Sequence, residues 1–335
     1  MPALPALSEE VGLLTLTIRP WTPTDLPDLA EFAAADKSQV NLDELAQMEA
    51  ARSPEFPFLC LVAEQDGKAV GWAFGGRRPW TDKGDLNCSV LVAPACRQQG
   101  IGTALYDALT PFFREHQPRH LRANGDDHQP AALAWAERRG FKPIHHIVSM
   151  ATDLAAFDPA AYAEAVARVE AGGIRFVQFG QVRTPETEAR LHALYMQLDA
   201  DTPEATADSY QPFDQWRAWA LASPEAWPEG WTVAVAADGD WVGFTLLQKW
   251  APDSQNCHIY MTGVKREYRN RSIALALKAT AARYAKAQGM VRISTITDFE
   301  NLPMRAVNTR LGYQTVSGFF RLLKDLGGDK DLGRA

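Results

Sequence analysis

Two short segments of this chain have the residue types and spacing for chemistry on a phosphorylated ligand. They are Arg97-Gln98-Gln99-Gly100-Ile101-Gly102 and, 172 residues further on, Arg269-Asn270-Arg271-Ser272-Ile273-Ala274. Each follows an apolar, strand-like run and opens a run of helical periodicity. A helix start exposes unpaired backbone N–H groups and carries a positive partial charge. Glycines in the preceding loop let the main chain come close to a pyrophosphate. The spacing is shorter than a Walker loop, and no Gly-Lys-Ser/Thr follows. Nor does the segment leave the first strand of a βαβ unit, as a dinucleotide fingerprint would.

The offset relating the two segments runs through the chain. It carries Asp66-Gly67 onto Asp238-Gly239, Gly71-Trp72 onto Gly243-Phe244, and Gly140-Phe141 onto Gly312-Tyr313. An ungapped match over such a span is a duplicated domain. The expected class is α/β, with an α+β mixed sheet: two tandem domains, each a mixed central β-sheet flanked by helices. Their boundaries are 1–152 for the first, 153–173 for a helical connector, 174–326 for the second and 327–335 for a flexible tail. In the first copy, strands are expected at Leu13–Arg19, Phe58–Glu64, Lys68–Gly75, Leu86–Val92, His120–Ala123 and Ile144–Met150, with Asp66-Gly67 as a hairpin turn. A helix from about Gly100 to Glu115 carries Ile101, Leu105, Leu109 and Phe112 at helical spacing. The second copy repeats this plan, with a strand at His258–Val264, helices at Ile273–Ala287 and Leu302–Arg310, and a strand at Arg292–Thr297 between them.

Composition bounds the partners. The chain has 335 residues, 46% hydrophobic and 22% charged, an ordinary globular make-up of about two domains. A net charge of −7 argues against a nucleic-acid partner, which needs a basic surface. No stretch approaches about 18 consecutive apolar residues, and Met1–Leu16 lacks a basic region followed by an apolar run. Neither export nor membrane attachment is therefore expected. Cys60, Cys88, Cys96 and Cys257 form no Cys-x-x-Cys pair and read as reduced thiols of a cytoplasmic protein. His116, His120, His128 and His145-His146 lack ligand spacing, so no metal is expected. Trp216, Trp219, Trp227 and Trp231 read as helix-to-sheet packing in preference to the wall of an acceptor pocket.

The first segment in full, Val92-Ala93-Pro94-Ala95-Cys96-Arg97-Gln98-Gln99-Gly100-Ile101-Gly102, resembles the signature of the GNAT superfamily of acetyl-CoA-dependent N-acetyltransferases. The second copy resembles it through Thr262-Gly263-Val264, the run from Tyr268 to Ala274, Leu277-Lys278, and then Asn301, Met304, Asn308 and Leu311-Gly312-Tyr313. The layout is similar to a tandem GNAT protein, an arrangement also found in mycothiol synthase. The resemblance implies that acetyl-CoA is the acyl donor. It implies that a bulged strand offers backbone groups to the pantetheine amides and thioester, at Val90, Leu91 and Val92 in the first copy and at Thr262, Gly263 and Val264 in the second. The amides of Gln98, Gln99, Gly100, Ile101, Gly102 and Thr103 would take the pyrophosphate in one copy. Those of Asn270, Arg271, Ser272, Ile273, Ala274 and Leu275 would do so in the other. Arg97 or Arg269 would add a charge-assisted contact, and Asn301 and Asn308 belong to a second cofactor-facing segment. Ser272 departs from the pattern, because its Cβ stands where the backbone approaches phosphate.

Acetyl transfer to an amine needs an unprotonated nucleophile, and an alkylammonium with a pKa of about 10 is mostly charged near neutrality. Several GNAT enzymes carry a glutamate base eleven residues before the signature's first residue. This chain has His258 there in the second copy and Leu86 in the first. A histidine titrating near neutrality suits the task, which tilts the chemistry toward the second copy, the first being either a CoA-binding structural copy or a second active site. The family's tyrosine acid, four residues before the glycine ending the last helix, is replaced by Ala136 and Asn308. Tyr260 and Tyr313 remain as candidates, beside water. The expected reaction is direct attack by a primary amine of a small molecule or peptide in a ternary complex. The alternative is a protein that binds or senses acyl-CoA without turnover, for which the missing tyrosine and Ser272 speak.

Overall fold

The computed structural model describes residues 7–11, 14–35, 53–78, 81–203, 205 and 210–327. The expected tail lies outside them apart from Gly327. The chain is mixed α/β and divides into two compact units. One comprises Met1–Gly125, Ala131–Ile144 and Arg321–Ala335, and the other Asp126–Pro130 and His145–Phe320.

In the first unit β1 (Leu7–Val11), β2 (Leu14–Pro20), β3 (Phe58–Gln65), β4 (Lys68–Gly76) and β5 (Asp85–Val92) are antiparallel neighbours in chain order. β6 (His120–Asp126) joins parallel to β5. A parallel neighbour needs a crossover, and α2 (Ile101–His116) supplies it; α1 (Leu26–Ala35) precedes β3 and α3 (Pro130–Glu137) follows β6. Asp66 and Gly67 both have positive φ, 53° and 76°, the tight hairpin turn that twisted strands favour. α2 packs Ile101, Leu105, Leu109 and Phe113 against the sheet, none more than 2% exposed. Each such burial stabilises by roughly 1.5–3 kcal/mol. Phe113, not the expected Phe112, continues the stripe; Phe112 packs on His116, the rings tilted by 35° with centroids 4.3 Å apart. Steps of three and four residues both satisfy helical periodicity, so packing decides between them.

The second unit orders its strands β8 (Arg175–Gln178), β9 (Thr232–Val235), β10 (Trp241–Lys249), β11 (Asn256–Val264), β12 (Arg292–Asp298) and β7 (Lys142–Asp153). Only β11 and β12 run parallel, bridged by α7 (Ile273–Ala287). α5 (Pro185–Asp199) and α6 (Phe213–Leu221) lie between β8 and β9 in sequence. α8 (Leu302–Arg310) and β13 (Gln314–Asp325) follow β12. α7 is apolar around most of its circumference, with Leu275, Ala276, Leu277, Ala279, Ala281 and Ala282 all buried, as expected of a central helix.

The compact units do not follow the boundaries of the repeat. Ile144–Met150, expected to close the first domain, lies in β7. Its residues Ile147 to Asp153 pair antiparallel with Asp298 to Arg292 of β12 in the second unit. Strand partners are chosen by contacts remote in sequence, which a repeat cannot reveal. The expected connector likewise packs into the second unit. Asp158 caps a short 3-10 turn, α4 (Ala163–Ala171) follows, and Val169 joins Ile174, Ala276 and Leu277 in one core cluster.

Candidate active site

The two signature loops have the same backbone. Gln98 and Gly100 adopt positive φ (61° and 84°), and so do their counterparts Asn270 and Ser272 (63° and 60°). Alternating left-handed residues turn successive N–H groups toward one concave side, and the helix that follows adds its positive end. Ser272 is thus left-handed, a conformation that costs a residue bearing a Cβ roughly 1–2 kcal/mol. At Gly100 a Cβ would meet nothing within 4 Å, so the side chain adds dihedral strain but no collision. Ile101 and Ile273 anchor the two helix starts in the core, each 2% exposed. Gly102 opens toward Val90, Val92 and Trp135, which a Cβ would meet at 3.5–3.9 Å. Thr103 accepts a hydrogen bond from Arg139 (2.7 Å), whose guanidinium lies 3.9 Å from the Trp135 ring centroid.

Arg97 and Arg269 are committed to the loops themselves. The Nε of each donates to the last carbonyl of the preceding strand, Val92 at 3.1 Å and Val264 at 3.0 Å. Arg269 also pairs with Asp201, as does Arg266, and the Arg266 hydrogen bond leads in holding the Asp201 carboxyl below its usual range. A phosphate contact from Arg269, implied by the family resemblance, therefore competes with an existing ion pair. Its first duty is to clasp loop to strand.

Beyond the loops the copies diverge. In both, the parallel strands pair only at their beginnings: β5 with β6 from Asp85 to Asn87, and β11 with β12 from Asn256 to Ile259. Past those points they part. In the second unit both walls of the split are braced from outside, β11 by β10 and β12 by β7. Thr295 closes the paired part by donating to the Ile259 carbonyl (3.1 Å). The implied bulge is present in one copy only. β11 shifts register against β10, Leu247 facing Ile259 but Leu246 facing Met261, so Tyr260 is an extra residue. β5 pairs with β4 without a shift, so Val90, Leu91 and Val92 sit in a regular strand, contrary to expectation. A bulge bends its strand and leaves backbone groups outside the ladder, and those groups need partners.

Tyr260 projects from the bulge, 43% exposed. Its ring lies 4.9 Å from Trp219 on α6, and its side chain hydrogen-bonds Tyr195 on α5. His258 alternates with Cys257 and Ile259, which are buried in a cluster with residues of α7, so it faces the opposite side of the sheet. There its ring stands between Trp250 (5.9 Å) and Tyr260 (6.4 Å). Its Nδ1 is buried without a partner among the described residues. Burial pushes the imidazole down to about 4, so the expectation that His258 titrates near neutrality is corrected: it is neutral throughout the physiological range.

The second segment serves structure as it stands. Asn301 caps α8 by accepting from the Met304 N–H (3.2 Å). Asn308 has no exposed surface and donates to the Met150 sulfur (3.6 Å), leaving its Oδ1 without a partner among the described residues. Tyr313 is buried with its hydroxyl unpartnered among the described residues, and burial pushes its phenol far up, which makes it a poor acid. Trp216 and Trp231 are core residues with no exposed surface, as their packing role requires. Trp219 alone of the expected tryptophan cluster reaches Tyr260. Sequence reasoning missed Trp250, and it named Lys278 in the family motif without giving it a role. Nothing marks Trp250, but a lysine in the apolar run of α7 was a visible anomaly. Of the histidines weighed as metal ligands, three pair with carboxylates: His120 with Asp85, His145 with Asp298 and His146 with Asp127. Among the described residues no helix is long and apolar enough to cross a membrane.

A glycine- or serine-bearing loop under a helix start, set beside two parting parallel strands and repeated in one chain, defines a tandem acyl-transfer fold. Residues 21–141 and 186–313 both match the profile of the acetyltransferase (GNAT) family, and the chain belongs to it. A mycothiol acetyltransferase of Catenulispora acidiphila is 25% identical over 256 residues, 75% of this chain and 76% of the relative. Among solved structures, a GCN5-related N-acetyltransferase from Sphaerobacter thermophilus superposes with a TM-score of 0.73 at 21% identity, covering 94% of this chain and 98% of its own. A tandem GNAT protein from the clavulanic acid biosynthesis pathway gives 0.71 at 21% identity, covering 94% and 100%. These likenesses show the fold.

Proposed function

We propose that the protein is an acetyl-CoA-dependent N-acetyltransferase whose transfer step runs in the second copy. The acceptor is a primary amine of a small molecule or peptide, attacking directly in a ternary complex. The reading is carried by a backbone feature that separates the copies, the bulge at Tyr260 above the split of β11 from β12. The residues there fit the donor. The left-handed loop at Asn270 and Ser272 presents N–H groups to a pyrophosphate, and the unpaired edge of Thr262, Gly263 and Val264 suits the pantetheine amides. Bound acetyl-CoA supplies an acetyl group on a good leaving thiol.

His258 meets the amine as a neutral acceptor. With its pKa near 4 it cannot hold the proton, which passes on to water, and it orients the nucleophile instead. Turnover then rises with the acceptor's own deprotonation. His258→Ala should lower kcat/KM about tenfold and leave the profile above pH 6 unchanged in shape; a lost limb near pH 6.5 would reinstate a titrating base. Trp219, Tyr260 and Trp250 offer aromatic faces to the acceptor. The relatives named mycothiol acetyltransferases favour a small molecule over a peptide. The first copy, with its loop but no bulge, fits a nucleotide-binding or structural role without transfer.

Thiol release over a panel of amines tests the proposal when run with an acidic residue placed in each loop. Ala274→Asp should cut turnover by about 100-fold or more through repulsion of phosphate, while Gly102→Asp leaves it within about threefold. The reverse pattern would move the chemistry to the first copy, and no release from any amine would favour the acyl-CoA-binding protein.

A further inference from the structure

Lys278 is the group in the second copy that the proposed function leaves unused. It lies on α7 about one and a half turns from the loop, on the side of Leu275, Ala279 and Ala282, and is 1% exposed. Its Nζ stands 5.5 Å from the Tyr313 ring centroid, and no carboxylate pairs with it among the described residues. A buried ammonium without a counter-charge is expensive. Its location gives it a use. Cys257 and Ile259 turn toward the core that contains α7, and Tyr313 packs with them, so Lys278 and His258 flank β11 from opposite faces. Two more polar atoms, the hydroxyl of the neighbouring Tyr313 and Asn308 Oδ1, are buried without partners among the described residues. If the amine arrives on the His258 face, the sulfur departs toward α7.

We propose that Lys278 is the proton donor to the departing sulfur, in the place where this chain lacks the family's tyrosine; the inference rests on the function proposed above. The amine nitrogen forms a bond to the acetyl carbon, and the carbon–sulfur bond breaks with its electron pair going to sulfur. The Lys278 ammonium then gives sulfur a proton. The amine's surplus proton leaves to water past His258, and Lys278 takes one back from solvent. Burial alone brings its ammonium down to about 7, so it is half charged at neutral pH and ready to release a proton. The titratable groups facing it are Tyr313 and, beyond it, Cys257; burial raises both, Cys257 to about 12, so neither supplies charge. Elsewhere around α7, Glu170, Tyr162 and Arg283 line a separate cavity, and Tyr284 packs on Trp227.

The test compares two acetyl donors. Lys278→Met should lower kcat with acetyl-CoA at least about 30-fold, with KM for acetyl-CoA within about threefold, and remove the break near pH 7 at which the rise with acceptor deprotonation levels off. Transfer from p-nitrophenyl acetate, whose leaving group needs no proton, should persist. Equal losses with both donors would reduce Lys278 to a structural role, and full activity with acetyl-CoA would exclude it. Should the variant not fold, wild-type protein carrying ε-13C-lysine decides. The Lys278 resonance should titrate near pH 7 and shift more with CoA than with desulfo-CoA; a midpoint above 9.5 or equal shifts would overturn the assignment. Wild type inactive with every amine and both donors would instead overturn the parent reading, and this one with it.

Discussion

His258 and Lys278 show how far a side chain's chemistry depends on where it is put. A histidine at the base position is legible in the sequence; its neutrality is not, because desolvation follows from neighbours such as Trp250 and Tyr260 that only the fold assembles. Both groups have folded-state pKa values below their unfolded ones, so stability is lost as pH falls through each window. Below pH 6.5 the unfolded chain protonates at the His258 position while the folded chain resists until about 4, which costs up to about 3 kcal/mol. Denaturant midpoints at pH 7, 5 and 4 should fall more steeply for wild type than for His258→Gln; parallel slopes would contradict a buried neutral imidazole. For Lys278 the window runs from 10.5 down to about 7. Lys278→Met should therefore be more stable below pH 7, by up to about 5 kcal/mol, with the gain vanishing toward pH 10.5. A gain independent of pH would mean the lysine is not desolvated.

At the scale of elements, the two signature loops were readable because glycine and small residues at a strand–helix junction have a physical reason to be there. The bulge was not, and the lengths of neighbouring loops explain why. Residues 77–84 join β4 to β5, but only 250–255 join β10 to β11, and the shorter loop absorbs the extra residue of the bulge. The repeat therefore aligns without a gap, and the bulge leaves no trace in the offset. The bulge also makes a sharp prediction. Removing Tyr260 would restore an unbroken ladder without turning any other side chain of β11 to the wrong face, because the bulged residue is supernumerary. The deletion should fold, as the regular β5 shows the architecture permits, yet lose about 100-fold or more in turnover. Retained activity would remove the bulge from the account.

For the whole molecule, duplication gave two copies of one framework, and divergence left a bulge in the central strand of one of them alone. The tandem layout was visible in the offset, but the compact units were not. β7 begins in one unit and pairs with β12 in the other, and β13 ends in the unit where the chain began. The claim that matters most is that only one of the two splits performs transfer. Its most direct test is a crystal structure of the protein grown with acetyl-CoA. The account predicts the pyrophosphate on the amides of Asn270 to Leu275 and the thioester between β11 and β12, with the carbonyl beside Tyr260 and the sulfur toward Lys278. A thioester seated at Val90–Val92 of the first copy, with the second split closed, would contradict it.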